Sequence, residues 1–147
     1  MNTSIKRFNE LDTSELYAIL QLRSEVFVVE QSCVYQDLDG KDAKALHVIG
    51  KKAGEIVAYT RVFAPGDYFA EASIGRVVVK QSQRKYGYGK VIMEASIKAV
   101  EEELGTKTIR ISAQTYLLKF YNSLGFKAEG PEYLEDGIPH VSMVRGK

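Results

Sequence analysis

An apolar strand followed by a glycine turn and a helix is the feature that most constrains the fold of this sequence. Residues 73–80, Ser-Ile-Gly-Arg-Val-Val-Val-Lys, form a β-branched run typical of a buried strand. Residues 84–89, Arg-Lys-Tyr-Gly-Tyr-Gly, follow, and the amphipathic pattern of residues 90–104 predicts a helix. Glycines at such a turn let backbone N–H groups approach a phosphate, and the helix N-terminus adds partial positive charge. The segment therefore predicts an anion site within a β-α unit.

Two common nucleotide loops are excluded by the residues around the glycines. A Walker A loop ending at Gly89-Lys90 needs Gly at position 84 and Ser or Thr at position 91, where this chain has Arg84 and Val91. A dinucleotide fingerprint needs a third glycine at position 92, which is Ile92. The cations Arg84 and Lys85 beside a helix N-terminus oppose the helix dipole unless water or an anion matches them. We therefore predict a metal-free diphosphate bound by backbone amides, with a plain helix-starting turn as the alternative.

The remaining patterns predict strands and helices mixed along one chain. Asp12 and Glu15 form a capping-box pattern ahead of helical spacing, which predicts a helix over residues 13–26. The sequence therefore predicts an α+β (mixed α/β) fold, a sheet covered by helices on both faces. Further predicted elements are strands at 47–50, 55–63, 108–112, 126–130 and 141–144 and a short helix at 117–124.

Length and charge limit the class of protein. A chain of 147 residues, 45% hydrophobic and 27% charged, is typical of one globular domain. The net charge of +1 gives no general attraction to nucleic acid or anionic membrane, and we expect neither as a partner. Cys33 is the only cysteine, so an intrachain disulfide is excluded. The polar residues 1–6 and the lack of a long apolar run lead us to expect a cytoplasmic protein. Two distant histidines and one cysteine match no metal-site spacing, so no metal is expected.

The glycine loop has a downstream companion, and together they resemble one family. Residues 84–89, Arg-x-x-Gly-x-Gly after an apolar strand, resemble the acetyl-CoA loop of the GNAT superfamily of N-acetyltransferases. Residues 114–126, which end in Phe-Tyr-x-x-x-Gly-Phe, resemble its second signature. Residues 26–31, 35–40 and 135–140 are similar to the ElaA-like branch of this family. The resemblance covers nearly the whole chain. It implies a single N-acetyltransferase domain over 1–147 with a central mixed, mostly antiparallel twisted sheet flanked by helices on both faces.

The resemblance also implies acetyl-CoA as co-substrate and no metal. Backbone groups of one strand would bond the pantetheine arm like an added strand, and the glycine loop would hold the pyrophosphate. Gln114 stands where many members of the family carry Asn. The implied cofactor-binding residues are Val77, Val78, Val79, Arg84, Lys85, Tyr86, Gly87, Tyr88, Gly89, Lys90, Gln114 and Tyr121.

Tyr121 is the predicted catalytic acid. A phenol near pKa 10 placed against the sulphur can donate a proton as a thiolate leaves, since the corresponding thiol has a pKa of about 8.5. A backbone N–H near Val77 or Val78 is expected to stabilise the oxyanion. The alternative for Tyr121 is a buried aromatic side chain in the core.

The base that deprotonates the acceptor remains open among four residues. Glu30, Asp37, Glu135 and His140 are candidates, of which Glu30 and His140 are the preferred catalytic residues. The predicted substrate-binding residues are Glu30, Tyr35, Arg76 and His140, with a structural salt bridge as the alternative role for Arg76. His47 is expected to be structural. An acetyl-cysteine intermediate on Cys33 is the less favoured route, because no activating histidine partner is evident.

These observations predict an acyl-CoA-dependent N-acetyltransferase. Direct transfer would move an acetyl group from acetyl-CoA to a primary amine, on a small molecule or a peptide, through a tetrahedral intermediate. The alternatives are a hydroxyl acceptor, a longer acyl group, a CoA-binding sensor without turnover or, outside the family, a nucleotide-binding module. A homodimer is left open.

Overall fold

One eight-stranded sheet organises the computed structural model of the chain, which describes residues 1–147. Seven strands follow the order β1-β2-β3-β4-β5-β8-β6, and β7 pairs with β8. Every pairing is antiparallel except that of β4 with β5, which is parallel. The predicted α+β class with a mostly antiparallel sheet is confirmed. The elements are β1 Asn2–Arg7, α1 Thr13–Arg23, β2 Leu46–Lys52, β3 Glu55–Phe63, β4 Ala72–Val79, α2 Tyr88–Leu104, β5 Ile109–Gln114, α3 Leu118–Ser123, β6 Lys127–Ala128, β7 Tyr133–Glu135 and β8 Ile138–Arg145.

Strand β3 shows why helices cover both faces of the sheet. Its side chains alternate between two apolar clusters, as the two-residue period of a strand requires. Ala58 and Val62 join the larger cluster, to which α2 contributes Ile92. Tyr59 joins the smaller cluster, to which α1 contributes Ile19. A strand buried on both faces therefore separates α1 from α2.

Helix α1 begins where the sequence predicts and ends differently. Asp12 and Glu15 form the predicted capping box, with the Glu15 N–H donating to Asp12 Oδ1 at 2.7 Å. The predicted end at residue 26 is wrong. The α-helix stops at Arg23, and the chain continues as a π-helix over Ser24–Glu30. This wider winding extends the helix to Glu30, at the wall of the cavity described below.

A bulge in β4 opens the sheet. Tyr59 lies opposite Val78 and Arg61 lies opposite Gly75, so two steps along β3 match three along β4. Arg76 adopts a φ of +48° at this point, which is strained for a residue with a Cβ. Strands β4 and β5 pair only at Ala72 and Ser73, although both continue further. The edge of β4 beyond Ser73 is therefore not covered by β5.

Two strands were missed by the sequence patterns. Five of the six residues of β1 are exposed, and all three residues of β7 are exposed, so neither carries an alternating apolar pattern. Their partner strands supply the hydrogen bonds that define them. Helix α2 begins at Tyr88 rather than at residue 90, after Gly87 with a φ of +73°.

Candidate functional site

A cavity of about 600 Å³ lies in the opening between β4 and β5. It is walled by the π-helical segment, the β4 bulge, the start of α2, the residues around α3 and the β7–β8 hairpin. Most of the predicted site residues meet here, whereas Lys85, Tyr86 and Tyr88 do not line it. The predicted residues that line the cavity are Glu30, Tyr35, Arg76, Val77, Val78, Val79, Arg84, Gly87, Gly89, Lys90, Gln114, Tyr121 and His140.

The first half of the cavity, which we call the cofactor half, is built mainly from backbone. It runs along the uncovered edge of β4 from Val77 to Val79 and ends at the turn before α2. No side chain caps the N-terminus of α2, so its first N–H groups have no side-chain partner. A Cβ added at Gly87 would meet nothing within 4 Å, so its positive φ, rather than crowding, favours glycine there. The cofactor half therefore offers backbone N–H groups both from the edge of β4 and from the N-terminus of α2.

An ion pair at the cavity mouth joins residues 26–31 to the glycine loop of residues 84–89. Arg84 Nη2 donates to Glu30 Oε1 at 2.8 Å, and Arg84 Nη1 donates to the other oxygen of the same carboxylate. Arg84 Nε donates to the Val79 carbonyl at 3.1 Å, which fixes the guanidinium beside the end of β4. Glu30 was predicted as a base and Arg84 as a phosphate ligand, and the structure pairs them with each other.

Tyr86 and Tyr88 lie outside the cavity in an aromatic pair. Their ring centroids are 5.5 Å apart, and the Lys52 ammonium lies 3.9 Å above the Tyr86 ring. A cation above an aromatic face is attracted by the ring quadrupole. Their side chains therefore stabilise the turn from its outer side, and contact with a cofactor through their amides stays a prediction.

Tyr121 lines the cavity from α3 and is 6% exposed. Its ring packs edge-on against Phe120 and Phe126, with centroids 5.1 and 6.0 Å away. Burial raises the pKa of the Tyr121 phenol well above its usual value, and the nearby Tyr116 adds to this shift. The phenol is therefore protonated at neutral pH, as a proton donor must be.

His140 and Glu135 meet across the β7–β8 hairpin on the other side of the cavity. His140 Nδ1 lies 2.7 Å from the Ile138 carbonyl, and Nε2 lies 3.2 Å from Glu135 Oε2. Tyr133 stacks on the imidazole, and its hydroxyl is hydrogen-bonded to the cavity-lining Ser112. Because the carbonyl accepts from Nδ1, the lone pair of a neutral imidazole lies on Nε2.

A buried cluster of three arginines and three aspartates supports the opposite wall. Arg23 donates to Asp37 and Asp42, and Arg61 donates to Asp39 and Asp42. Burial disfavours the Arg23 charge, yet the hydrogen bond to Asp42 and the charge of Asp37 raise the pKa of its guanidinium. The hydrogen bond from Arg61 holds the pKa of Asp39 well below its usual range. These contacts fix the loop of residues 31–42 against the sheet.

Asp37 and Arg76 are both engaged in this cluster. Arg76 Nε donates to Asp37 Oδ1 at 2.8 Å, and Arg76 Nη2 donates to the Asp37 carbonyl at 3.0 Å. Tyr35 donates to the same carboxylate oxygen at 3.1 Å. The structure therefore gives Arg76 the salt bridge considered as its alternative role, while leaving it on the cavity wall. Asp37 is 8% exposed and does not line the cavity, which argues against it as a base.

His47 has the structural role expected of it. It is 1% exposed, its Nδ1 lies 2.6 Å from the Tyr59 hydroxyl, and its Nε2 lies 2.9 Å from the Asp42 carbonyl. Burial lowers the pKa of its imidazole.

Cys33 lines the cavity, and its thiol is 3.3 Å from the Asp136 carbonyl.

Sequence reasoning missed the aromatic lining of the second half of the cavity, which we call the acceptor half. Phe27, Phe63, Tyr68 and Phe69 line it together with Tyr35. Phe63 and Tyr68 are stacked, with centroids 5.1 Å apart and planes 13° apart. Tyr68 and Phe69 lie in a loop, where no local pattern marks them. Phe27 and Phe63 lie in a helical segment and a strand, and the sequence pattern there does not show that they line a cavity.

The structure contains no helix with the length and apolarity needed to cross a membrane.

Comparison with known proteins places this geometry in a family. Residues 12–146 match the acetyltransferase (GNAT) domain family. The chain is 42% identical over 139 residues to the protein ElaA of Escherichia coli K12, an alignment that covers 93% of this chain and 91% of ElaA.

Solved structures agree with the sequence match. An acyl-CoA N-acyltransferase from Pseudomonas aeruginosa superposes with a TM-score of 0.93 at 39% identity, covering 99% of this chain and all of that one. An aminoglycoside 6'-N-acetyltransferase solved with coenzyme A shares the fold at a TM-score of 0.68 and 16% identity, covering 97% and 96% of the two chains. The chain therefore belongs to the GNAT family of acetyltransferases, in the branch that contains ElaA.

Proposed function

We propose that this protein transfers an acetyl group from acetyl-CoA to a primary amine by direct attack. The observation that carries the proposal is the uncovered β4 edge, which leads from the N-terminus of α2 to a cavity holding the buried phenol of Tyr121. Pantetheine amides match the donors and acceptors of such an edge. Diphosphate matches the amides of the glycine turn.

In this proposal each end of acetyl-CoA has its own contacts. The pantetheine arm lies along Val77 to Val79, and the pyrophosphate lies against the amides of residues 85–90. Arg84 adds charge there, and Gln114 contacts the cofactor from the end of β5. No resident metal takes part, since backbone dipoles and side-chain cations supply the positive charge.

The reaction itself needs three groups around the thioester. The amine nitrogen attacks the thioester carbonyl carbon, and a C–N bond forms while the carbonyl oxygen becomes an oxyanion. A backbone N–H near Val77 or Val78 donates to that oxygen. The attacking nitrogen, positively charged after the attack, releases its second proton, which replaces through water the proton that Tyr121 gives up. The intermediate collapses when the C–S bond breaks and the electron pair leaves on sulphur.

Tyr121 donates to the departing sulphur. Burial disfavours a charged thiolate as it disfavours the phenolate, so a sulphur that leaves inside the cavity favours receiving a proton as it departs. A protonated phenol can therefore give its proton to the thiolate as the C–S bond breaks.

The base assigned in this proposal is His140, directly or through water. Its Nε2 lone pair can take a proton from the alkylammonium, whose pKa lies near 10. The resulting imidazolium donates to two acceptors already in place, the Ile138 carbonyl and the Glu135 carboxylate. Glu30 is the alternative base, although its carboxylate is bound to Arg84.

The test is release of free thiol from acetyl-CoA in the presence of primary amines, with product mass measured alongside. An acetylated amine with stoichiometric CoA supports the proposal. Acetyl-CoA binding without release from any amine would point instead to a sensor. The alcohol analogue of each active amine tests a hydroxyl acceptor, and propionyl-CoA tests a longer acyl group. Stabilisation against heat by ATP, but not by acetyl-CoA, would contradict the cofactor assignment.

A further inference from the structure

One buried donor in the cavity wall has no partner within the chain. Arg61 Nε is the only buried side-chain nitrogen or oxygen in the structure that lacks one. The two Nη atoms of Arg61 are held by Asp39 and Asp42, and its side chain is 2% exposed. Leaving a buried donor unpaired is costly, so an exception of this kind calls for a partner. Arg61 lines the cavity, so a molecule in the cavity can supply that partner.

A second free donor belongs to Arg76, which also lines the cavity. Arg61 pairs across the sheet with Gly75, the residue before Arg76, so both arginines originate at the β4 bulge. Asp37 occupies Nε and Nη2 of Arg76, which leaves Nη1 without a partner in the chain. Arg76 lines the cavity and retains 20% of its side-chain exposure. Two guanidinium groups, from Arg61 in β3 and Arg76 in the β4 bulge, therefore have an N–H group that a molecule in the cavity could bind.

The surrounding charge permits an anion at this place. The three arginines of the cluster, Arg23, Arg61 and Arg76, are matched by the three aspartates that they bind. The cluster is therefore neutral as a whole, and two of its arginines, Arg61 and Arg76, also line the cavity. Guanidinium groups bind carboxylate and phosphate oxygens with short, charge-assisted hydrogen bonds, and the carboxylate is the smaller of the two anions and carries only one negative charge.

The other wall of the acceptor half has the opposite character. The Glu135 carboxylate and the His140 imidazole line it from the hairpin, and both favour an amine. Between the two polar walls lies the aromatic lining, including the stacked pair of Phe63 and Tyr68. The acceptor half thus carries donors for an anion on one wall, acceptors for an amine on the other, and an apolar surface between them.

We propose that the acceptor is an amino carboxylate, an α-amino acid with an apolar or aromatic side chain. Its carboxylate binds the free N–H groups of Arg61 and Arg76, and its amine faces His140. This inference rests on the proposed function, because it names the substrate of the same site. With Nε and Nη2 of Arg76 already engaged, the carboxylate bridges the two arginines instead of taking one of them bidentately.

The experiment compares L-phenylalanine with 2-phenylethylamine, which has the same amine and ring and lacks the carboxylate. The quantity is the ratio of their kcat/KM values at one pH, measured with the same enzyme preparation. This ratio does not depend on the fraction of folded enzyme, which matters because Arg76 also holds Asp37. We expect Arg76→Gln to lower the ratio by about tenfold or more, as loss of a charge-assisted hydrogen bond implies.

Arg110→Gln is the matched control, because Arg110 binds Glu71 and Glu129 and does not line the cavity. It should leave the ratio unchanged. A ratio that is the same in the wild type and in Arg76→Gln overturns the inference, while turnover of the amine would leave the proposed acetyl transfer standing.

A binding measurement separates the two proposals further. Calorimetry on CoA-saturated protein should show L-phenylalanine binding at least about tenfold more tightly than 2-phenylethylamine, with the advantage lost in Arg76→Gln. This result would support the amino carboxylate site even if no acceptor released thiol, in which case only the transfer reaction would fail. Equal or weaker binding of L-phenylalanine would contradict the site itself.

Discussion

The two halves of the cavity are built by different means. The cofactor half uses consecutive residues of β4 and the following turn, and it presents mainly backbone groups. The acceptor half uses side chains from the π-helical segment, the loop of residues 31–42, β3, the β4 bulge and the β7–β8 hairpin. Backbone recognition tolerates changes of side chain, whereas side-chain recognition does not. We therefore expect substitutions in the acceptor half to change substrate choice and substitutions at Val77 or Val79 to change little.

Tyr121 lines the cavity and is the proposed proton donor, and its substitution should have the largest effect. Tyr121→Phe removes the proton donor and keeps the ring that packs between Phe120 and Phe126. We expect kcat to fall by about 100-fold or more, as is typical for loss of a general acid. Acetyl-CoA affinity, measured by calorimetry, should stay within about twofold, because backbone groups of the cofactor half, rather than the Tyr121 hydroxyl, would bind acetyl-CoA. An unchanged kcat would remove Tyr121 from the mechanism.

The buried cluster behind the acceptor half gives the next largest effect, on stability. Asp42 accepts from both Arg23 and Arg61, which are 0% and 2% exposed, respectively. Asp42→Ala leaves two buried guanidinium groups short of an acceptor. We expect the free energy of unfolding, measured by urea titration, to fall by about 3 kcal/mol or more. Glu129→Ala removes a carboxylate from an exposed pair with Lys147 and Arg110, and should cost less than about 1 kcal/mol.

Acid should weaken the same cluster. The hydrogen bonds from Arg61 hold the pKa of Asp39 below its usual range. Burial raises the pKa of Asp42, but the hydrogen bonds and charges of Arg23 and Arg61 together lower it below its usual value. A carboxyl with a lowered folded pKa stabilises the fold above its unfolded pKa of about 4, and this contribution is lost as the pH falls towards the folded value. The free energy of unfolding should therefore decrease from pH 5 to pH 2. Asp42→Asn should show a shallower decrease, and an equal slope would contradict this role.

The contrast between the halves also explains what the sequence could predict. The strand, glycine turn and helix are local in sequence, so their patterns indicate both the fold and the cofactor half. The contact of Arg76 with Asp37 joins residues 39 positions apart, and no local pattern encodes it. One contact in the acceptor half, that of Glu135 with His140, did have a local sequence signal. Asp136-Gly137 is a hairpin dipeptide, and pairing across it places Tyr133 opposite His140 and brings Glu135 near the imidazole.

His140 tests the acceptor half at the level of chemistry. His140→Gln removes the base, and kcat/KM for the amine should fall by about tenfold to 100-fold near pH 7. The deficit should shrink as the pH approaches 10, because the free amine is then present in solution. His47→Gln is the control, since His47 is buried away from the cavity. It should lower stability and keep the wild-type pH profile. A His140→Gln deficit that is constant with pH would indicate a structural role.

The smallest effect tests the ion pair that joins the two halves. Glu30 holds Arg84 at the mouth of the cofactor half, and both side chains are partly exposed. If the carboxylate competes with pyrophosphate for Arg84, Glu30→Gln should tighten acetyl-CoA binding. A partly exposed pair is worth at most about 1 kcal/mol, so the gain should not exceed about fivefold, and 0.5 M salt should reduce it.

Glu30→Gln also distinguishes two roles of Glu30, competition with pyrophosphate for Arg84 and catalysis as the base. Glu55→Gln is the control, because it removes one negative charge from an exposed pair with Lys80 and does not line the cavity. It should leave acetyl-CoA affinity unchanged. A 100-fold loss of kcat/KM for the amine in Glu30→Gln, with unchanged acetyl-CoA affinity, would make Glu30 the base instead of His140. The cavity mouth would then belong to the acceptor half, and Arg84 would mark its boundary with the cofactor half.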